Sequence, residues 1–170
     1  VHASDAMAEW ILSNGLGSTV HMAPFPKDEE LTARLIRDPM TVGNISDAGA
    51  HLQMFCGGGE NILIFTKYVR EGMVTMEEAI HALTGKLAGH FGLDDRGAIR
   101  AGMRADITVF HPDEIERREE YKRFDVPTGN YGISWRYTRD AAPMRLTLVN
   151  GMPTFMDGRF TGALPGAFLS

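Results

Sequence analysis

The sequence has one cysteine, Cys56, so it can form no disulfide within the chain, and a reducing, cytoplasmic setting is the expectation. It also lacks long hydrophobic runs. Its longest apolar stretch is about that of Ile62-Leu63-Ile64-Phe65, well short of the ~18–20 residues that a membrane span requires. The opening "VHASDAMAEW" has neither the basic start nor the apolar core of a secretion signal, so a soluble protein is expected. Val1 stands where an initiator methionine would be, which reads as a processed protein or a piece of a longer one. No block of Lys or Arg occurs, and the net charge is −5. Nucleic-acid binding is therefore disfavoured, because a binder needs a basic footprint to meet phosphates. His-x-His, His-x-x-x-His and Cys-x-x-Cys are all missing, and with them the familiar local zinc signatures. There is no internal repeat and no low-complexity tract.

What is present is ordinary globular material. In 170 residues, 44% hydrophobic and 23% charged, there is room for one domain or one and a half around a real core. The first half alternates helix and strand signals. "SDAMAEWILSNG" reads as a helix capped by Ser4, with Met7, Trp10 and Ile11 on one face and Asn14-Gly15 as its stop. Residues 18–22 read as a strand. Asp28 then caps a helix whose apolar stripe is Leu31, Leu35 and Ile36, and Pro39 ends it. Residues 41–45 supply a second strand. Two strands flanking one helix form a right-handed βαβ unit with parallel strands.

"GGGENILIFTKYVREG" makes a further helix. The next opens with a Thr75-x-x-Glu78 capping box, runs to Gly92, and buries Ala79, Ile80, Leu83, Leu87 and Phe91. After it, glycines punctuate short β-like pieces: "AIRAG", "ADITVFHP", "RLTLVNG", "MPTFMDG" and "RFTG". Asn150-Gly151 is a hairpin turn signal. Between these pieces lies a polar, irregular excursion. Its charged run at 114–123 mixes both signs and reads as a solvated surface rather than a binding patch.

One stretch poses a chemical question. In "TVGNISDAGAH" a β-prone run ends by presenting Asp47 and, four residues on, His51. A turn accounts for Ser, Asp and Gly together. The sharper alternative is a catalytic carboxylate at the carboxyl end of a parallel barrel strand, where such groups sit. Other chemistry-bearing residues have simpler readings. His21, His81, His90 and His111 suit strand, helix-surface or turn positions. Cys56 has no nucleophile's partners around it. "CGGGEN" lacks the Lys-Ser/Thr of a phosphate loop and reads as a flexible loop at the mouth of a site. Asp106 begins a strand and is structural, and Trp10 and Trp135 are packing residues.

"NISDAGAH", then "FGLDDRGAIRAGMRADITVFHPD" and "LVNGMPTFMDGRFTGALPG", taken in that order, resemble the end of an amidohydrolase-superfamily enzyme. Within it the sequence is most similar to the N-acyl-D-amino-acid deacylases, or D-aminoacylases. Residues 92–110 carry the superfamily signal, while "SDAGAH" and "TGALPG" point to the deacylase branch.

The resemblance implies a fold of class α/β plus β. Residues 1–92 would be the C-terminal part of a (β/α)₈ barrel, with strands seven and eight at 18–22 and 41–45. Residues 93–170 would be a small β-sandwich-like domain. It implies a metal-dependent hydrolase of non-peptide C–N bonds, with zinc as the cofactor and a small N-acyl amino acid as substrate. Asp47 matches the eighth-strand aspartate that serves as metal ligand or general base. His51 matches a following histidine that positions substrate or aspartate. The remaining metal ligands of the family have no counterpart in these residues, so the expectation is a C-terminal segment carrying one corner of a site. Such a segment should associate with itself or with its missing part. Two alternatives stay open: a dihydropyrimidinase- or hydantoinase-like cyclic amidohydrolase, and a non-catalytic β-rich interaction module.

Overall fold

A computed structural model describes residues 1–15, 27–43, 46, 48–49, 53–129 and 132–169. Among the described residues, four α-helices come first: α1 (Ala3–Asn14), α2 (Glu29–Arg37), α3 (Met76–Leu83) and α4 (Gly85–His90). Between α2 and α3 lie a 3₁₀ turn, Glu60–Ile62, and a π-helical stretch, Ile64–Val69. Six strands follow: β1 (Ile107–Val109), β2 (Glu120–Pro127), β3 (Ile133–Arg139), β4 (Leu146–Val149), β5 (Met152–Met156) and β6 (Arg159–Phe160). All pairings among the described strands are antiparallel. One sheet has the order β1-β4-β5-β6, and β2 and β3 form a separate ribbon.

The caps are largely those the sequence dictates. The Asp28 carboxylate accepts from the Leu31 amide at 2.9 Å and starts α2. Thr75 and Glu78 exchange their reciprocal bonds at the head of α3, at 3.1 and 2.9 Å. The start of α1 differs from expectation. His2, not Ser4, is its N-cap, with the ring Nδ1 accepting from the Ser4 amide. The expected long helix to Gly92 is broken at Thr84, whose backbone leaves the helical region (φ −131°, ψ −89°), so α3 and α4 are separate. The break lies where the chain passes close to Gly97. That residue has φ +86°, and a Cβ on it would stand 2.5 Å from the Ala88 Cβ.

The faces also differ from the expected stripe. On α2, Ala33 is buried and Ile36 half-buried against the core, while Leu31 and Leu35 are exposed. On α3, Ala79 is fully buried, whereas Ile80 and, beyond α4, Phe91 are exposed. The core gathers Ala33, Ile64, Phe65, Tyr68, Val74 and Ala79 from the helical half with Ile115 from the β-rich half. Phe110 seals it, with its ring 5.4 Å from that of Phe65. No residue of α1 is buried, and Met7, Trp10, Ile11 and Leu12 all face outward.

Residues 41–43, expected to begin a strand, lie in no strand, and 44, 45 and 18–22 fall outside the described residues. "AIRAG" lies in no strand, and only its last two residues are in a turn. The Asn150-Gly151 turn is as expected: both residues have positive φ, 54° and 79°, the geometry a two-residue hairpin loop needs. Asp157 and Gly158 repeat it between β5 and β6, at 48° and 74°.

A charged brace ties the loop before β1 to the β4–β5 turn. Arg96 bonds Asp95 at 2.9 Å and Asp106 at 3.0 Å, and Arg104 bonds Asp95 at 2.6 Å. The other Asp106 oxygen accepts from the Asn150 amide at 2.7 Å, which is the structural role expected of it. Hydrogen bonds first from Arg96 and then from Arg104 hold the Asp95 carboxyl down from 3.8 to about 2. A carboxyl depressed on folding stabilises the fold above its unfolded pKa, and that contribution fades as pH falls through the folded value. The brace should therefore be complete above about pH 4 and lost as pH approaches 2. Carboxyl-carbon NMR titration of Asp95 reads this directly, and a midpoint near the ordinary 3.8 would dismiss the brace.

Candidate functional site

Ser46 meets the glycine-rich run that precedes Glu60. The Ser46 hydroxyl accepts from the Ala48 amide at 2.9 Å and donates to the Gly57 carbonyl at 2.8 Å. Ser–x–x turns of this kind form because a short hydroxyl can stand in for a backbone group. Gly59, at φ +79°, then takes the left-handed conformation that lets the chain enter the 3₁₀ turn at Glu60.

This turn leans on the β2–β3 ribbon. Gln53 Nε2 donates to Ser134 Oγ at 2.7 Å and to the Trp135 carbonyl at 3.2 Å. The Cys56 amide donates to Glu120 at 3.0 Å. Arg139, at the end of β3, reaches the Cys56 carbonyl at 3.4 Å, Glu60 at 3.3 Å and Glu120 at 3.6 Å. Arg117 binds the same Glu60 oxygen at 2.5 Å. Along β3, Arg136 forks onto Asp125 at 2.8 and 2.9 Å. That pair lowers the Asp125 carboxyl and raises the Arg136 guanidinium. On the ribbon, Lys122 stands 4.2 Å above the Trp135 ring, which meets Tyr137 edge-on at 5.3 Å.

Between turn and ribbon is a cavity of about 320 Å³. Its walls are Ala48 and Gly49, the Cys56–Gly59 run, and ribbon residues including Arg136, Tyr137 and Arg139. The wall mixes guanidinium groups, glycine backbone and an apolar edge. It can therefore accommodate a small polar molecule and donate hydrogen bonds to it. A second cavity of about 490 Å³ adjoins it through Arg118 and Asp140, with Glu114 and Arg145 on its wall. Arg145 holds the Glu114 carboxyl below its usual range.

Asp47, His51 and His21 lie outside the described residues. The sequence neighbours of Asp47 are described: Ser46 forms the turn, and Ala48 lines the cavity. Cys56 is a free, half-buried thiol on the same wall. His81, His90 and His111 are exposed, and His111 Nδ1 accepts from the Asp113 amide in a turn, as expected. Sequence reasoning missed Arg117, Glu120 and Arg139. The available signal was the alternation in "ISWRYTR", which places Trp135, Tyr137 and Arg139 on one face of a strand. The run at 114–123, read as solvated surface, in fact leads into β2 and supplies Glu120 to the turn.

Zinc, which the resemblance implies, does not fit the described residues as a complete centre. No three His, Cys, Asp or Glu side chains among them come together where they could hold an ion. Nor is any described helix long and apolar enough to cross a membrane.

This chain belongs to the amidohydrolase family, which matches it over residues 5–155. Its similarity is to the D-aminoacylase type. It is 33% identical over 104 residues to the D-aminoacylase of Alcaligenes xylosoxydans xylosoxydans, covering 61% of this chain and 19% of that protein. It is 30% identical over 121 residues to the N-acyl-D-aspartate deacylase of the same organism, covering 66% and 24%. With a dihydroorotase of Lactobacillus gasseri it shares 27% over 96 residues, covering 56% and 22%. The chain thus spans about a fifth to a quarter of the length of the curated relatives it matches. No solved structure matches it.

Proposed function

We propose that the whole protein hydrolyses the amide bond of N-acyl-D-amino acids. What carries this reading is the family match over residues 5–155, a span that includes Asp47 and the cavity beside its sequence neighbours. Residues 1–92 are then the last units of a (β/α)₈ barrel, with strand seven at 18–22 and the catalytic corner at Asp47, and residues 93–170 are a small β-sandwich-like domain. Asp47 accepts the proton of the attacking water and hands it to the departing amine, the double duty a single carboxylate can perform in amide hydrolysis. His51 positions the substrate or Asp47. Zinc would be held by Asp47 together with ligands outside this segment, and would supply Lewis acidity to the amide carbonyl.

The dihydroorotase match favours a second reading, hydrolysis of a cyclic amide of the dihydropyrimidinase or hydantoinase kind. A substrate panel separates the two. The purified whole protein is offered N-acetyl-D- and N-acetyl-L-amino acids, hydantoins and dihydropyrimidines. Release of free D-amino acid alone is the expected result. Turnover confined to the cyclic amides would replace the first reading with the second, and turnover of neither class would leave the non-catalytic module.

The outward apolar face of α1 belongs, in this reading, against further barrel units or a second copy. The 170 residues by themselves should then scatter light as more than one chain, and a clean monomer would count against it.

A further inference from the structure

Of the charged side chains on the cavity wall, Arg139 is the most enclosed, its side chain only 6% exposed. Burying a guanidinium is costly unless carboxylates and carbonyls meet it. Here they meet it incompletely: Nη1 and Nη2 are engaged by Glu60, Glu120 and the Cys56 carbonyl, while Nε is buried with no hydrogen-bond partner among the described residues. A residue kept in such a setting is poorly explained by stability alone. It is better explained by what its fork holds in place.

Its contacts converge on one object. Glu60 and the Cys56 carbonyl lie at the two ends of the glycine-rich turn, and Glu120 grips the Cys56 amide from the ribbon side. A Cβ on Gly59 would stand only 3.4 Å from the Arg139 Cδ, so the turn is seated closely on this side chain. The turn in turn holds Ser46 through the Gly57 carbonyl, and Ser46 is the residue before Asp47.

We propose that Arg139 is a positioning residue: it locks the 53–60 turn onto the β2–β3 ribbon and thereby holds Ser46, the residue before Asp47 in the sequence. The catalytic half of this statement rests on the reading of Asp47 as the proton-transferring group; the locking half does not. A ribbon with few buried side chains thereby acquires a purpose, which is to aim a site rather than to fill a core. Lysine keeps the charge but cannot bridge three acceptors as a planar fork does.

The test is Arg139→Lys in the whole protein, with amide hydrogen exchange and steady-state kinetics measured together. Exchange over residues 53–60 should quicken about tenfold or more, while that of α3 stays unchanged, since local opening leaves the rest of the fold intact. Turnover number should fall about 10- to 100-fold with KM within about twofold, the pattern of a displaced reacting group with binding preserved. If exchange quickens in α3 as well, the variant is globally loosened and Glu120→Gln decides in its place. That change keeps an acceptor for the Cys56 amide but removes a charge facing Arg139, and it should loosen 53–60 alone. Unchanged exchange over 53–60 in both variants would overturn the lock. Quickened exchange with full turnover would overturn the link to catalysis. Should the wild-type protein hydrolyse no N-acyl amino acid, the functional reading fails, and exchange by itself still decides whether Arg139 locks the turn.

Discussion

Asp47→Asn in the whole protein should reduce turnover of an N-acyl-D-amino acid by a factor of about 10²–10⁴, the range that a positioned acid–base group contributes. Asparagine matches aspartate in shape and keeps a carbonyl oxygen. It cannot take up a proton at any working pH, so it separates proton transfer from space-filling. The melting temperature should be little changed, because Asp47 is assigned to the reaction and not to the core. The measurement is kcat beside a thermal melt. Near-wild-type turnover would remove Asp47 from the mechanism, and a collapsed melt with no activity would make it a structural carboxylate.

Ile115→Ala carries the largest expected effect on stability. Ile115 is 1% exposed and is the largest fully buried side chain among the described residues. It comes from the β-rich half and packs in the cluster with Phe65, Tyr68 and Ala79 from the helical half. Removing its outer carbons leaves a cavity lined by residues that helices hold in place, so little collapse is available. The expected loss is about 2–5 kcal/mol, with Ile115→Val losing about 0.5–1.5 kcal/mol. The Ile115 carbonyl, which accepts from Arg70 at 2.7 Å, is main chain and survives both changes. Denaturant unfolding monitored by fluorescence reads the difference. A shift below about 0.5 kcal/mol for the alanine variant would place Ile115 outside the cooperative core.

How much of this could be read in the sequence depends on how far each cause reaches along the chain. The Thr75–Glu78 box, the Asp28 cap and the Asn150-Gly151 turn were legible because each is decided within about four residues by side-chain reach or by φ. The buried face of α2 was not. Spacing shows that Leu31, Leu35 and Ile36 share a stripe, yet the element that arrives is α3, and the core it shares with α2 takes in Ala33 and Ile36 instead. The helix expected to run on to Gly92 breaks at Thr84, where Gly97, fourteen residues beyond the end of α3, lies close against the chain.

The ribbon is the clearest case. Its residues at 120–127 look like solvated chain, and most of them are indeed exposed. What makes β2 and β3 a pair is cross-strand partnership, Arg136 with Asp125 and Lys122 over Trp135, between residues more than ten apart. The site divides in the same way. Asp47 and His51 were picked out by a local motif and a resemblance, and they lie outside the described residues. Arg139 carries no motif, and its significance comes from the meeting of Cys56, Glu60 and Glu120 around it.

The sequence by itself determined the family, the caps of α2 and α3 and the Asn150-Gly151 hairpin turn, because these are written in short-range stereochemistry and in the order of a few segments. The tertiary structure alone decided which helix faces are covered and that a charged ribbon grips the glycine-rich turn. Both depend on groups brought together from 36 to 83 positions apart, and the energy of such meetings depends on burial and charge at the point of contact, which no local pattern encodes.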